Sequence, residues 1–179
     1  MQGLETTATL DLQTDEWVIN TPSISGAKFW PGGMGRTATH AVVFAKMVIK
    51  GKSYNVHPFL VPIRSLEDHS ALPGVEVGDI GTKLGYSTVD NGYLSFNQYR
   101  IPRENHLARL AYVDKKGNFT VRGDPRALYI IMQVNRIAIL QDCWKCLTRS
   151  AMIAIRYAVC RRQFKTIPGS NQERKLLDY

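Results

Sequence analysis

Lys28-Phe29-Trp30-Pro31-Gly32-Gly33-Met34-Gly35-Arg36-Thr37-Ala38 decides between two fold classes. Its second half, Gly33 to Ala38, spells G-x-G-x-x-G/A, the dinucleotide fingerprint of a doubly wound α/β sheet. That mechanism needs a strand before the glycines, a helix after them and an acid about 20 residues further on to hold a ribose. Pro31 stands where the strand should run, the β-rich Ala41-Val42-Val43-Phe44 replaces the helix, and residues 55–58 contain no acid. The run also lacks the Gly-Lys-Ser/Thr of a P-loop. What remains is an aromatic pair followed at once by nearly bare backbone. Such a run admits a flat ligand: aromatic faces cover a ring system, and glycine N–H groups reach its polar edge with no Cβ in the way.

On both sides the texture is that of β-structure up to about residue 120, with short segments rich in Thr, Val, Ile, Phe and Tyr between Gly, Pro, Asn and Asp. Glu5 to Leu12 alternates polar with apolar, Gln13-Thr14-Asp15 turns, and Glu16 to Asn20 returns, which predicts a hairpin. Further strands are predicted over 39–49, 55–63, 75–80 and 93–99, with turns at Gly51-Lys52-Ser53 and Asp90-Asn91-Gly92. Several short strands at this spacing imply a small barrel or sandwich.

Lys115-Lys116-Gly117-Asn118 reads as a polar linker, after which the texture changes. Gly123-Asp124-Pro125 is a helix start, with Asp124 able to cap free N–H groups and Pro125 at the first helical position. No Pro or Gly follows from Arg126 to about Gln163. Ile130, Val134, Ile137, Leu147, Ala151, Ala154 and Ala158 recur at helical steps, so a long helix is predicted, ended by Pro168-Gly169-Ser170. Residues 172–179 read as the first turn of a further helix that the chain does not complete.

At 179 residues, 44% of them hydrophobic, the chain can bury a substantial core. With 23 Lys and Arg against 15 Asp and Glu, its net charge is +8, which implies acidic partners: nucleic acid, a membrane surface or a phosphate-bearing cofactor. Cys143, Cys146 and Cys160 are too few and too clustered for a secreted disulfide scaffold. Cys143-Trp144-Lys145-Cys146 spells C-x-x-C but lacks a preceding strand and a second ligand pair, so core packing is expected of it. His40, His57, His69 and His106 show no metal-ligand spacing, and His40 is expected to pack in its strand. No membrane span is present, because Arg136, Asp142, Lys145, Arg149 and Arg156 interrupt the longest apolar candidate.

Gln2-Gly3-Leu4-Glu5-Thr6-Thr7-Ala8, Phe29-Trp30-Pro31-Gly32-Gly33 and Thr39-His40-Ala41-Val42-Val43 are followed in order by Gly78-Asp79-Ile80-Gly81-Thr82-Lys83-Leu84-Gly85-Tyr86 and Asp90-Asn91-Gly92-Tyr93-Leu94. Tyr99-Arg100-Ile101-Pro102-Arg103-Glu104-Asn105, Ile155 to Phe164 and Leu177-Asp178-Tyr179 complete the series. Together these segments resemble the acyl-CoA oxidases, flavoenzymes of fatty-acid β-oxidation. The resemblance implies an α+β chain: an antiparallel β-barrel middle domain over 1–115, then the first helices of a C-terminal helical bundle over 116–179. It also implies FAD as cofactor, acyl-CoA and O2 as substrates, a homodimeric parent and a peroxisomal site, with no nucleic acid as partner.

By that resemblance Trp30, Gly32 and Gly33 face the flavin, with Gly32 offering its N–H to the N5 and O4 edge. Arg161 and Phe164 resemble the Arg-x-x-Phe that meets the FAD of a neighbouring subunit, where a guanidinium suits a pyrophosphate. Arg162 could share that task, the alternative being that consecutive arginines at a helix C-terminus simply favour the helix dipole. The related acyl-CoA dehydrogenases usually carry Thr or Ser at the place of Gly32, so glycine there favours the oxidase branch. The family's catalytic glutamate is expected beyond Tyr179. None of Glu5, Asp15, Glu16, Glu67, Asp68 or Asp142 has its context, so no catalytic residue is assigned within the chain. Two rival readings stay open, an acyl-CoA dehydrogenase and a non-catalytic β-barrel binding module.

Overall fold

The computed structural model describes residues 3–124, 126–165, 168–169 and 171–179. It divides into two compact units, one ending at Asp124 and the other running to Tyr179. The first unit holds ten strands: β1 (Thr7–Asp11), β2 (Glu16–Asn20), β3 (Lys28–Gly32), β4 (His40–Ile49), β5 (Lys52–Pro62), β6 (Val75–Asp79), β7 (Asn91–Phe96), β8 (Tyr99–Pro102), β9 (Ala111–Val113) and β10 (Phe119–Val121). They form three sheets, ordered β5-β4-β1-β2-β8, β3-β7-β6 and β10-β9.

The expected hairpin forms with Asp11 opposite Glu16, and Asp15 takes the positive φ (58°) that closes its loop. β4 and β5 make the longest pair, turning through Lys50 and Gly51, both at positive φ (51° and 77°), the geometry of a type I′ hairpin. Along β4 the alternation of the sequence becomes burial: Ala41, Val43, Ala45, Met47 and Ile49 face inward, while His40, Val42 and Phe44 do not. Trp17 on β2 is fully buried, meets Phe59 edge-on at 5.1 Å between centroids, and donates its indole N–H to the Arg103 carbonyl at 3.1 Å. Leu94, Phe96 and Val75 of the three-stranded sheet join the same core as the five-stranded one. Burial of each such side chain stabilises the fold by about 1.5–3 kcal/mol.

Several sequence expectations need correction. The result is a mixed α+β chain with open sheets: none of the three closes into a barrel, and β1 pairs with β4 in parallel, so the sheet is not wholly antiparallel. Lys28–Gly32 is a strand despite Pro31, which is tolerated because β3 lies at the sheet edge, where a missing N–H breaks no ladder. Asn91-Gly92 is no hairpin turn but the start of β7. A Cβ on Gly92 would lie 2.4 Å from the Gly35 nitrogen, so glycine serves close backbone approach there. The supposed linker 115–118 is the β9–β10 turn, where the Asp114 carboxylate accepts from the N–H groups of Lys116 and Asn118. His40 is exposed on β4, with its Nδ1 3.1 Å from the Thr39 hydroxyl.

The second unit is dominated by α1 (Ala127–Cys160), 34 residues or about 50 Å of helix. Freedom from Gly and Pro, with five Ala among its residues, favours its length. The helix starts later than expected, at Ala127 with Arg126 at its N-cap position and no side-chain cap bond from that residue; Pro125, expected at the first helical position, lies outside the described residues. The helix ends at Cys160, before Pro168-Gly169-Ser170, of which Ser170 also lies outside the described residues. The chain then runs extended, and residues 161–164 bond to 174–176: Gln163 N–H to the Arg174 carbonyl, Arg174 N–H to the Phe164 carbonyl, and Leu176 N–H to the Arg161 carbonyl. In place of a further α-helical start, Leu176–Asp178 forms a single 3-10 turn. Apolar residues are exposed around α1, among them Ile130, Val134, Ile137, Leu140 and Ile153. Cys143, Cys146 and Cys160 are exposed free thiols, so Cys143 and Cys146 are not the core residues expected of the C-x-x-C. No helix among the described residues is long and apolar enough to cross a membrane.

Candidate functional site

The aromatic-glycine run lies on the edge strand β3. Phe29 and Trp30 are both exposed, 64% and 52%, and their rings meet at 74° with centroids 6.3 Å apart. Trp30 holds φ at 80°, an unfavourable conformation for a bulky residue, and the Asn91 side-chain amide fixes it by donating to the Trp30 carbonyl at 2.9 Å. The Lys83 ammonium stands 5.8 Å from the Trp30 ring centroid and donates to the Val89 carbonyl, tying the 81–89 loop to this strand.

The Gly33 N–H donates to the Asp90 carbonyl at 2.5 Å, so Gly32 and Asn91, directly opposite each other, form a non-hydrogen-bonded antiparallel pair. In such a pair the N–H points away from the partner strand. Because β3 is the sheet edge, the Gly32 N–H therefore faces its open side, and nothing lies within 4 Å of where a Gly32 Cβ would be. An open donor beside an exposed aromatic pair fits a planar group with a polar edge. Gly33, by contrast, has spent its N–H within the fold.

Beyond Gly33 the chain turns sharply, and this turn is held from two sides. One Asp90 carboxylate oxygen accepts from the Arg36 N–H (3.0 Å), the Thr37 N–H (2.8 Å) and the Thr37 hydroxyl (2.8 Å). The buried Arg64 guanidinium donates to the carbonyls of Met34 (2.9 Å), Gly35 (2.9 Å) and Ala38 (2.7 Å). Burial pushes the Asp90 carboxyl up, but the Thr37 hydroxyl, the two N–H donors and the Arg64 charge outweigh it and hold the group below its usual range. Sequence reasoning missed both residues: Asp90 read as part of a turn, and Arg64 carried no motif. The available signal was the glycine spacing itself, since a turn with so few side chains needs outside anchors.

Arg161 and Phe164 sit in the second unit, on the short extended segment after α1. The Arg161 N–H closes the helix on the Tyr157 carbonyl, and its side chain is exposed with no ion pair among the described residues. Arg162 is occupied, donating to the Glu173 carbonyl at 2.9 Å. Phe164 is 68% exposed and takes a positive φ of 62°. The two groups of candidate residues thus belong to two separately described units, Trp30, Gly32 and Gly33 in one and Arg161 and Phe164 in the other.

A separate cluster lies in the core of the first unit. His106 Nε2 is 3.4 Å from His57 Nδ1, among Trp17, Phe59 and Phe119. Burial, then the neighbouring His57, pushes His106 down to about 4, and burial lowers His57 also.

The fold is that of acyl-CoA oxidase structures. Acyl-CoA oxidase 1 of Arabidopsis thaliana superposes with a TM-score of 0.91 at 48% identity, over 99% of this chain and 28% of its own. Acyl-CoA oxidase-2 of Caenorhabditis elegans, bound with FAD, ascaroside-CoA and ATP, gives 0.90 at 37% identity, over 99% and 27%. Residues 129–179 match the acyl-CoA oxidase C-alpha1 domain, and the whole chain is 48% identical to peroxisomal acyl-coenzyme A oxidase 1 of Arabidopsis thaliana. The chain belongs to the acyl-CoA oxidase family. It spans about a quarter (27%) of the length of that curated relative.

Proposed function

We propose that the chain supplies one wall of the flavin site of a peroxisomal acyl-CoA oxidase, which converts acyl-CoA and O2 to trans-2-enoyl-CoA and H2O2. The carrying observation is the Gly32 N–H at the open edge of β3 beside the exposed Trp30 ring. The names of the relatives support the peroxisomal site, and the C. elegans complex supports FAD and an acyl-CoA-type ligand. When bound, FAD supplies the hydride acceptor for the β-carbon of the acyl chain.

Gly32 donates its N–H to the N5 and O4 edge of the ring. A donor fixed in a strand stabilises negative charge at that edge with no reorganisation at the moment of reaction. Trp30 covers the ring system, and Gly33 holds the backbone in place through Asp90. Arg161 takes the pyrophosphate, for which its planar donors are suited, and Phe164 packs beside it. With Arg162 engaged by Glu173, the anionic contact falls to Arg161. In a homodimer, Arg161 and Phe164 serve the FAD of the neighbouring subunit. The base that removes the α-proton is a glutamate outside this chain.

The same reading assigns residues 1–115 to a barrel-type middle domain and 116–179 to the opening of the C-terminal helical domain. The core shared by the three- and five-stranded sheets supports a barrel-like arrangement. Absence of a side chain at Gly32 leaves room for O2 at the reduced ring. The test is titration of the chain with FAD, followed by flavin fluorescence, and peroxide release from acyl-CoA by the longer protein that contains it. Saturable quenching and peroxide formation are expected; a chain that leaves flavin emission unchanged overturns the reading.

A further inference from the structure

Asp90 is unusually placed for a carboxylate in a loop. One of its oxygens collects three hydrogen bonds from Arg36 and Thr37, while the other is buried without a hydrogen-bond partner in the structure described. The unpartnered oxygen lies so close to Gly35 that a Cβ there would stand 2.5 Å from it. An oxygen buried without a donor is unfavourable and needs a compensating reason. The reason lies in what the carboxylate holds.

The Asp90 carbonyl accepts from Gly33, its side chain gathers the N–H groups of Arg36 and Thr37, and the next residue, Asn91, pins the Trp30 carbonyl. Two consecutive residues of β7 and the loop before it thus fix both ends of the aromatic-glycine run. Between these anchors lies Gly32, whose own N–H is left over. If the Gly33-to-Asp90 bond opens, the pairing that aims Gly32 outward is lost with it.

We propose that Asp90 and Asn91 are positioning residues that aim the Gly32 N–H and the Trp30 ring at the bound flavin, acting through the turn and not by contact. The proposal rests on the flavin reading above. It gives the Asp90-Asn91 pair a role in tuning the edge of the cofactor that the Gly32 donor serves. Thr37 belongs to the same device, since its hydroxyl and N–H supply two of the three bonds to the carboxylate.

The experiment uses the full chain and the variants Thr37→Val, Thr37→Ser, Asp90→Asn and, as a control in a distant turn, Asp114→Asn. Three readouts are followed: amide hydrogen exchange of residues 33–38 without FAD, FAD affinity from fluorescence quenching, and the visible absorption band of bound flavin. Thr37→Val removes the hydroxyl that lies 2.8 Å from the Asp90 carboxylate and 3.2 Å from the Gly33 carbonyl, and is expected to raise exchange at Arg36 and Thr37 and weaken FAD binding by roughly tenfold each. It also shifts the flavin band; Thr37→Ser restores all three, and Asp114→Asn moves none. Faster exchange in Thr37→Val or Asp90→Asn with unchanged FAD affinity and band overturns the positioning role and leaves the flavin reading standing. A wild-type chain that binds no FAD overturns both, whatever the exchange rates show.

Discussion

Asp90 and Arg64 grip one turn from opposite electrical sides: the carboxylate takes the N–H groups of Arg36 and Thr37, and the guanidinium takes the carbonyls of Met34, Gly35 and Ala38. A glycine-rich turn has little side-chain packing of its own. Its conformation is therefore set by these two charges, each bonded to backbone dipoles.

Replacing Arg64 with Met leaves three carbonyls without their donor and is expected to destabilise the first unit by about 3 kcal/mol. Urea unfolding monitored by tryptophan fluorescence measures this. A loss below about 1 kcal/mol means that water replaces the guanidinium without penalty.

Two glycines three residues or fewer from this region respond in opposite ways to the same change. Gly92→Ala forces a Cβ to 2.4 Å from the Gly35 nitrogen and the Gly78 carbonyl, so a loss of more than about 3 kcal/mol or failure to fold is expected. Gly32→Ala meets open space and should stay within about 1 kcal/mol of wild type. Thermal unfolding of the two variants side by side decides it, and equal destabilisation would contradict the close approach of β7 to the turn.

Gly32→Thr addresses the chemistry at the same position. A side chain there fills the open space beside the donor, so slower reaction of the reduced enzyme with O2 is expected in the longer protein. Stopped-flow reoxidation is the measurement, and a rate equal to wild type would remove Gly32 from the oxidase argument.

The His57–His106 pair makes stability depend on pH in a window set by its shifts. His106 titrates near 4 when folded and near 6.5 when unfolded, so between these values the unfolded chain binds more protons. Its contribution is therefore fully present above about pH 6.5 and is lost as pH falls toward 4, at up to about 1.4 kcal/mol per pH unit. The lowered His57 adds in the same direction. Chemical denaturation between pH 4 and 7 should show this slope in wild type and a flatter one in His106→Phe.

Arg161→Ala separates binding from folding at the other candidate group. The exposed side chain makes no ion pair among the described residues, so stability should hold within about 0.5 kcal/mol while FAD affinity falls roughly tenfold. Arg162→Ala should do the reverse, since its guanidinium closes the 161–176 segment on the Glu173 carbonyl. Equal FAD affinity in wild type and Arg161→Ala would remove the pyrophosphate role.

The sequence alone determined the local elements: the β1–β2 hairpin from its alternation, the inward face of β4 and the long helix from its lack of Gly and Pro. These depend on neighbours within a few residues, where periodicity and backbone propensity act directly. It also carried the family, because many short segments stand in the expected order. What only the tertiary structure decided were contacts between distant residues. Pro31 is compatible with a strand because that strand has no second neighbour, and Asn91-Gly92 is a strand start because Gly35 leans against it. Arg64 and Asp90 became the supports of the glycine run only when residues 26 to 54 positions apart were brought to hydrogen-bonding distance. Sequence pattern records which residues are apolar or flexible, whereas a buried charge is explained only by the dipoles that surround it in the fold.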